Sequence, residues 1–334
     1  MEKMWALLIP LSRSWEMPER AENRIFDESV WEEIVAELSH SAVITVVFDL
    51  LDGMRYQSHP ELALPGAWSR ERMKEEIRRL KAMGIRSIPK LNFASVHDSW
   101  MGEYGNMVST SIYYRVSREL ILEAAELFDH PQYIHLGMVE EGIGAGDCIL
   151  DNRLNIIRRG KAMWKDLRFL MDCVQEAGAI PWIWHDLPFD RPEVFAKEFA
   201  GRDLLVSPWY YGGLKPEHYC AIADRQVTID YYSQPRFQGM NLTYVEEDPF
   251  HTNFRAKALP CAEQYGYKYV PCGSLIQKCY ENYNDMVEYF AGMPEEQLVG
   301  FIASAWRPLT ETNKEDILQN IHALSKAKYK IFGK

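Results

Sequence analysis

Tyr133-Ile134-His135-Leu136-Gly137-Met138-Val139-Glu140-Glu141 is an aromatic and aliphatic run that ends in a glycine and two adjacent acids. A continuous apolar run of this length suits a strand buried on both faces, as in a parallel sheet covered by helices. The next residues, Gly142-Ile143-Gly144-Ala145-Gly146-Asp147, are too glycine-rich to extend a strand or a helix. The carboxylates therefore stand where a buried strand opens into a loop, which is where barrel enzymes collect their catalytic groups.

Outward from this stretch, further apolar runs near 5–12, 42–50, 86–93, 179–185, 203–209, 268–273 and 299–305 read as strands. Between them lie amphipathic stretches. Arg70 to Met83 puts Met73, Ile77, Leu80 and Lys81 at helical spacing and stops at Gly84. Arg115 to Phe128 behaves alike, and Asn155 to Ala177 stops at Gly178. Strands alternating with helices imply parallel βαβ units, and eight of them imply a closed (β/α)8 TIM barrel. A ninth apolar run, Val227 to Tyr232, lies in the long interval 210–267 and is either part of an insertion or the true seventh strand. With no internal repeat or linker, residues 1–334 are expected to form a single domain.

Composition narrows the function classes. Apolar residues make up 47% and charged residues 25%, which describes a globular chain with ample core. A formal charge of -11 without a dense Lys/Arg run argues against nucleic acid. The first residues run directly into Trp5-Ala6-Leu7-Leu8-Ile9-Pro10, without a signal-peptide pattern, and no run approaches the roughly 18 apolar residues of a membrane span. Six scattered cysteines without CxxC pairing fit a reducing compartment, so a cytoplasmic location is expected.

The unusual residues follow the strands. They are Asp49, Asp52, Arg55, Tyr56 and His59 after the second, and Lys90, Asn92, His97, Asp98, Trp100 and Glu103 after the third. Trp182-Ile183-Trp184-His185-Asp186 goes with the fifth, Trp209-Tyr210-Tyr211 with the sixth, and Trp306-Arg307 with the eighth. The segments that precede strands, such as His130-Pro131-Gln132, carry nothing comparable. Aromatic rings stack on the apolar faces of pyranoses while charged groups meet the hydroxyls, so this face suits sugars. Glycoside cleavage needs a protonated carboxyl beside the leaving oxygen and a second group at the oxocarbenium-like centre. Glu140 or Glu141 can be that acid, because repulsion between close carboxylates raises one pKa. Neighbours on a strand point to opposite faces, so one of the two is expected to enter the pocket.

Metal chemistry fits less well. His185 with Asp186, and His97 with Asp98, are adjacent pairs that splay apart, and no third ligand stands at a diagnostic spacing. No metal or other cofactor is therefore expected. Cys148 lacks a recognisable partner that would activate its thiol.

In the same order along the chain, several segments resemble the catalytic barrel of glycoside hydrolase family 20, the β-N-acetylhexosaminidases. They are Ile9 to Trp15, Phe48 to Arg55, Gly84 to Asn92 with Val96-His97-Asp98, His135 to Glu140, Trp182 to Asp186, and Ala303 to Trp306. The resemblance implies Arg13 as the arginine that grips sugar hydroxyls and Glu140 as the general acid. It also implies Trp306 as the tryptophan closing the pocket. Where the family has an Asp that polarises the substrate acetamido group, this chain has Val139, which can neither carry charge nor accept a hydrogen bond. Glu141 or Asp186 is then the substitute carboxylate, or the substrate lacks an acetamido group, or the site binds sugar without turnover.

The expected activity is hydrolysis of a terminal sugar. Glu140, Glu141, Asp186 and His97 are the catalytic set. Arg13, Asp52, Arg55, Asn92, Asp98, His135, Trp184, His185, Trp209, Tyr211 and Trp306 hold the carbohydrate, with His97 and His135 also orienting acids. Two other readings fit the residues less closely: a non-catalytic carbohydrate-binding barrel, and a metal-dependent hydrolase or isomerase. Exposed Tyr and Trp would suit a homodimer surface.

Overall fold

The computed structural model describes residues 2–14, 20–95, 97–138, 158, 160–215 and 264–333. Nine parallel strands form one sheet: β1 (Met4–Pro10), β2 (Thr45–Asp49), β3 (Arg86–Lys90), β4 (Tyr133–His135), β5 (Ile180–Trp184), β6 (Leu205–Ser207), β7 (Lys268–Tyr269), β8 (Cys272–Gly273) and β9 (Gly300–Ser304). β7 and β8 are two halves of one stave, broken at Val270-Pro271, where proline cannot donate to the ladder. The first half pairs with β6, the second with β9, and a bridge from Trp209 to Cys272 continues the seam. β1 pairs with both β2 and β9, so the sheet curls into the eight staves of a TIM barrel. The eight strands expected from the apolar runs are all present. Val227 to Tyr232, most of the interval 210–267, and the acid pair Glu140-Glu141 lie outside the described residues.

Strand pleating explains why these runs are apolar throughout. In β1, Met4, Ala6 and Leu8 pack inside the barrel, while Trp5, Leu7 and Ile9 pack outward against helices. The same alternation sends Val47, Trp182, Trp184 and Ile302 inward and Phe48, Ile183 and Phe301 outward. Both faces are covered, so neither shows a polar period.

The helices begin and end where local chemistry dictates. α1 (Glu28–Leu38) is capped by Asp27, whose carboxylate accepts from Ser29 N–H at 2.9 Å. α2 (Arg70–Ala82) is capped by Ser69 and stops ahead of Gly84, and α3 (Ser111–Leu127) is capped by Thr110. Within α2, Met73 and Leu80 are buried while Lys81 is exposed. α4 (Lys161–Glu176) follows β4, and Asp166 on its inner face is fully buried. That carboxylate accepts from Ser109 and Tyr114 hydroxyls, each at 2.5 Å, and from Arg158 Nε at 2.9 Å. Arg158 also donates to Phe93 O at 3.1 Å and to Tyr113 Oη at 2.7 Å, so one buried guanidinium ties α4, α3 and the end of β3 together.

Removing one partner of a buried charge pair leaves the other uncompensated. Asp166→Ala should lower unfolding stability by about 3–5 kcal/mol in urea titration, and the double change Asp166→Ala with Arg158→Met should recover part of the loss. Equal stability of the single variant and the wild type would contradict the tie.

Candidate functional site at the carboxyl mouth of the barrel

The inward residues turn polar at the carboxyl ends of the strands. Asp49 ends β2, Lys90 ends β3 and His135 ends β4, and the register sets Asp49 opposite Lys90 and Lys90 opposite His135. Lys90 Nζ donates to Asp49 Oδ2 in an ion pair whose side chains are 1% and 2% exposed. Burial pushes the Asp49 carboxyl up and the Lys90 ammonium down, and each partner's charge opposes that shift. Burial, reinforced by the Lys90 charge, holds the His135 imidazole well below its usual pKa. Asp49 and Lys90 had no assigned role in the sequence; the signal was a charged residue closing an otherwise apolar run, in Val46-Val47-Phe48-Asp49 and Ile88-Pro89-Lys90.

Above this level stands a wall of rings. Trp184 packs against His135 with centroids 4.6 Å apart and against Trp306 at 5.5 Å. Tyr211 lies 6.3 Å from Trp306 and stacks on Trp209 at 5.4 Å. Trp209 meets His185 at 5.3 Å, edge to face. The Trp209 indole N–H donates to Asp186 Oδ2 at 3.0 Å, and its main-chain N–H donates to His185 Nδ1 at 3.2 Å. Trp184, Trp306, Tyr211, Trp209 and His185, which come from three stretches of sequence, thus form one chain of ring contacts that ends at the nearly buried Asp186 carboxylate.

The other residues named from the sequence are spread more widely. Asp52 is fully buried, and its carboxylate accepts from Ser12 at 2.5 Å, Ser14 at 2.7 Å and Arg20 Nε at 3.2 Å. Burial raises its pKa against those three donors. Asp52 therefore fastens the segment after β1 to the turn after β2. Arg13 is half-buried beside it, whereas Arg55 is exposed. Asn92 is buried, with Oδ1 accepting from Ala94 N–H at 3.3 Å. His97 and Asp98 are half-buried. Glu140, Glu141 and Val139 lie outside the described residues.

Backbone strain collects at the same mouth. Leu51, Met138 and Trp306 follow β2, β4 and β9 with φ of 44°, 62° and 51°, values that side-chain-bearing residues seldom adopt. Ser304 Oγ accepts from Trp306 N–H at 3.2 Å and supports that turn. Gly137, at φ 75°, has no alternative residue, since a Cβ there would lie 2.2 Å from Asn92 Oδ1.

Fold and mouth together define a TIM barrel whose carboxyl face carries buried polar strand ends beneath a wall of rings. No protein-family model matches the chain, and no curated protein sequence does. Solved structures do match in fold. A β-N-acetylhexosaminidase from Bacteroides fragilis aligns over 96% of this chain and 65% of its own, with a TM-score of 0.59 and 12% identity. The family 20 β-N-acetylhexosaminidase from Streptomyces coelicolor aligns over 96% and 63%, with a TM-score of 0.60 and 12% identity. An exo-β-N-acetylglucosaminidase from Vibrio harveyi, solved with N-acetylglucosamine, aligns over 99% and 57%, with a TM-score of 0.59 and 12% identity. The chain thus has the fold of the family 20 catalytic barrel in divergent form, and it spans about two thirds or less of the length of these enzymes.

Buried neutral histidines make the fold sensitive to acid. Burial lowers the His185 pKa to about 3 and moves His135 in the same direction. The folded state therefore binds fewer protons than the unfolded chain. Stability is complete above the unfolded histidine value of about 6.5 and is lost as pH falls from there toward 3. Each histidine should contribute a slope of about 1.4 kcal/mol per pH unit. Urea unfolding between pH 6.5 and 5 should show that fall, and His185→Asn should remove its share of it while the His135 share stays.

Proposed function

We propose that the chain is a glycoside hydrolase that removes a terminal sugar held in the carboxyl mouth of the barrel. The observation that carries this reading is the row of rings Trp184–Trp306–Tyr211–Trp209, whose last member donates its indole N–H to the Asp186 carboxylate. Such rings offer the stacking faces that pyranoses need, and a carboxylate oriented by an indole N–H offers the second charge that glycoside cleavage needs. The fold shared with family 20 barrels supports the same reading, and N-acetylglucosamine, bound in the Vibrio harveyi enzyme, is the first ligand to try.

In this mechanism Glu140 protonates the departing glycosidic oxygen. Asp186 supplies the charge that the family Asp would supply where this chain has Val139, attacking or stabilising the anomeric carbon. With Val139 unable to polarise an acetamido group, the nucleophile is a protein carboxylate and not the substrate, and sugars without an acetamido group become competent. Arg13 holds hydroxyls, and Trp306 closes the pocket. The second reading, a barrel that binds sugar without cleaving it, is favoured by Val139 alone.

Hydrolysis of aryl β-glycosides by the wild type, Glu140→Gln and Asp186→Asn decides between them. Glu140→Gln should lose about 10²–10⁴-fold in kcat/KM with its fold intact. Asp186→Asn should lose a comparable factor, and Asp186→Ala should be rescued in part by azide. Full activity of Glu140→Gln would sink the acid assignment. A wild type that is stabilised by sugar in thermal unfolding yet leaves it unchanged would establish the binding reading in its place.

A further inference from the structure

Below the ring wall, the polar side chains of β2, β3 and β4 lie at one level of the barrel with hydrogen-bonding capacity left over. Asp49, Lys90 and His135 occupy adjacent staves, one strand separation apart, which is about 4.8 Å. None is more than 2% exposed. Asp49 Oδ1 and His135 Nε2 are buried and hydrogen-bond to nothing among the described residues. The Lys90 ammonium directs one of its three protons to Asp49 Oδ2. His135 Nδ1 accepts from Gly137 N–H at 3.0 Å, so the imidazole proton sits on Nε2 and makes that atom a donor.

Buried polar atoms are costly to leave unpaired, so Asp49 Oδ1 and His135 Nε2, with the spare protons of Lys90 between them, call for a partner that fits all three groups. Charge restricts that partner. Lys90 and Asp49 cancel, and His135 is neutral, so the row as a whole is uncharged. An anion would be drawn to Lys90 but repelled by the carboxylate beside it, and a cation would meet the reverse. An apolar group would leave Asp49 Oδ1 and His135 Nε2 unpaired. A hydroxyl both accepts and donates, and two neighbouring hydroxyls can accept from Lys90 and His135 while donating to Asp49. Position agrees with chemistry, since the His135 ring touches Trp184, the start of the stacking wall.

We propose that Asp49, Lys90 and His135 read a neutral vicinal diol at the base of the pocket and so select an uncharged pyranose over a sugar acid. The proposal rests on the carbohydrate reading of the mouth but not on turnover. It assigns Lys90 a part in specificity: its ammonium donates to sugar oxygens, and the Asp49 charge beside it removes the advantage a carboxylate would otherwise have there.

The test is calorimetric titration of the full chain with N-acetylglucosamine, methyl β-D-glucopyranoside, methyl β-D-galactopyranoside and methyl β-D-glucuronide. His135→Asn keeps an acceptor for Gly137 N–H but removes the distal donor. Asp49→Asn combined with Lys90→Met removes the charges together and leaves neither stranded, which covers failure of the first variant to fold. At least one neutral pyranoside should bind the wild type, with the glucuronide about tenfold or more weaker. His135→Asn should weaken the neutral sugar by about tenfold, the loss of one hydrogen bond, and the double variant by more. Three results would each overturn the proposal: unchanged affinity in a folded variant, a glucuronide that binds as tightly as the neutral sugar, or no neutral pyranoside bound by the wild type. Sugar binding that depends on the row, together with no cleavage of any aryl glycoside, would remove the hydrolase reading and leave this one standing.

Discussion

Strand register is the constraint on which the rest of this molecule depends. Because all the staves are parallel, every carboxyl end opens at one mouth, and each pairing fixes the level at which a side chain enters. Asp49 faces Lys90, Lys90 faces His135, and His135 faces Trp182 across four successive staves. A slip of one residue in any of them would turn its inward side chain outward into the helical layer. The buried ion pair reinforces that register, because a shifted Lys90 would strand a charge in an apolar layer.

The mouth is built in two tiers with different physics. The lower tier consists of strand-borne polar groups whose positions are set by the pleat and whose protonation is set by burial. The upper tier consists of rings carried just past the strand ends, where turns depart from ordinary backbone geometry. Trp306 and Met138 hold positive φ, and Gly137 is pressed against Asn92. Strain of this kind persists only where surrounding contacts over-determine it. Here the Ser304 hydroxyl, the Asn92 side chain and the ring contacts supply them.

Some polar residues at the mouth hold the fold together. Asp52, fully buried among Ser12, Ser14 and Arg20, closes the segment after β1 onto the turn after β2. Asp166 and Arg158 do the same between α3, α4 and the end of β3. Type and position in sequence do not distinguish such residues from those facing the pocket. Asp49 ends β2 and Asp52 lies three residues on in the turn after it, yet the Asp52 carboxylate is consumed by hydroxyls and that of Asp49 keeps a spare oxygen.

The sequence by itself determined the architecture. Runs such as Met4–Pro10 and Ile180–Trp184 are apolar at every position because both faces of the strand are covered, and that pattern, alternating with capped amphipathic helices, admits few folds other than a barrel. It also located the mouth, since Trp184 ends a strand and Trp209 and Trp306 follow strands. Only the tertiary structure decided which residues meet. The contact of Trp209 with Asp186, the ring wall from His135 to His185, and the pairing of Asp49 with Lys90 join residues far apart in the chain. Their distances depend on strand register and closure, and local sequence pattern carries no information about either.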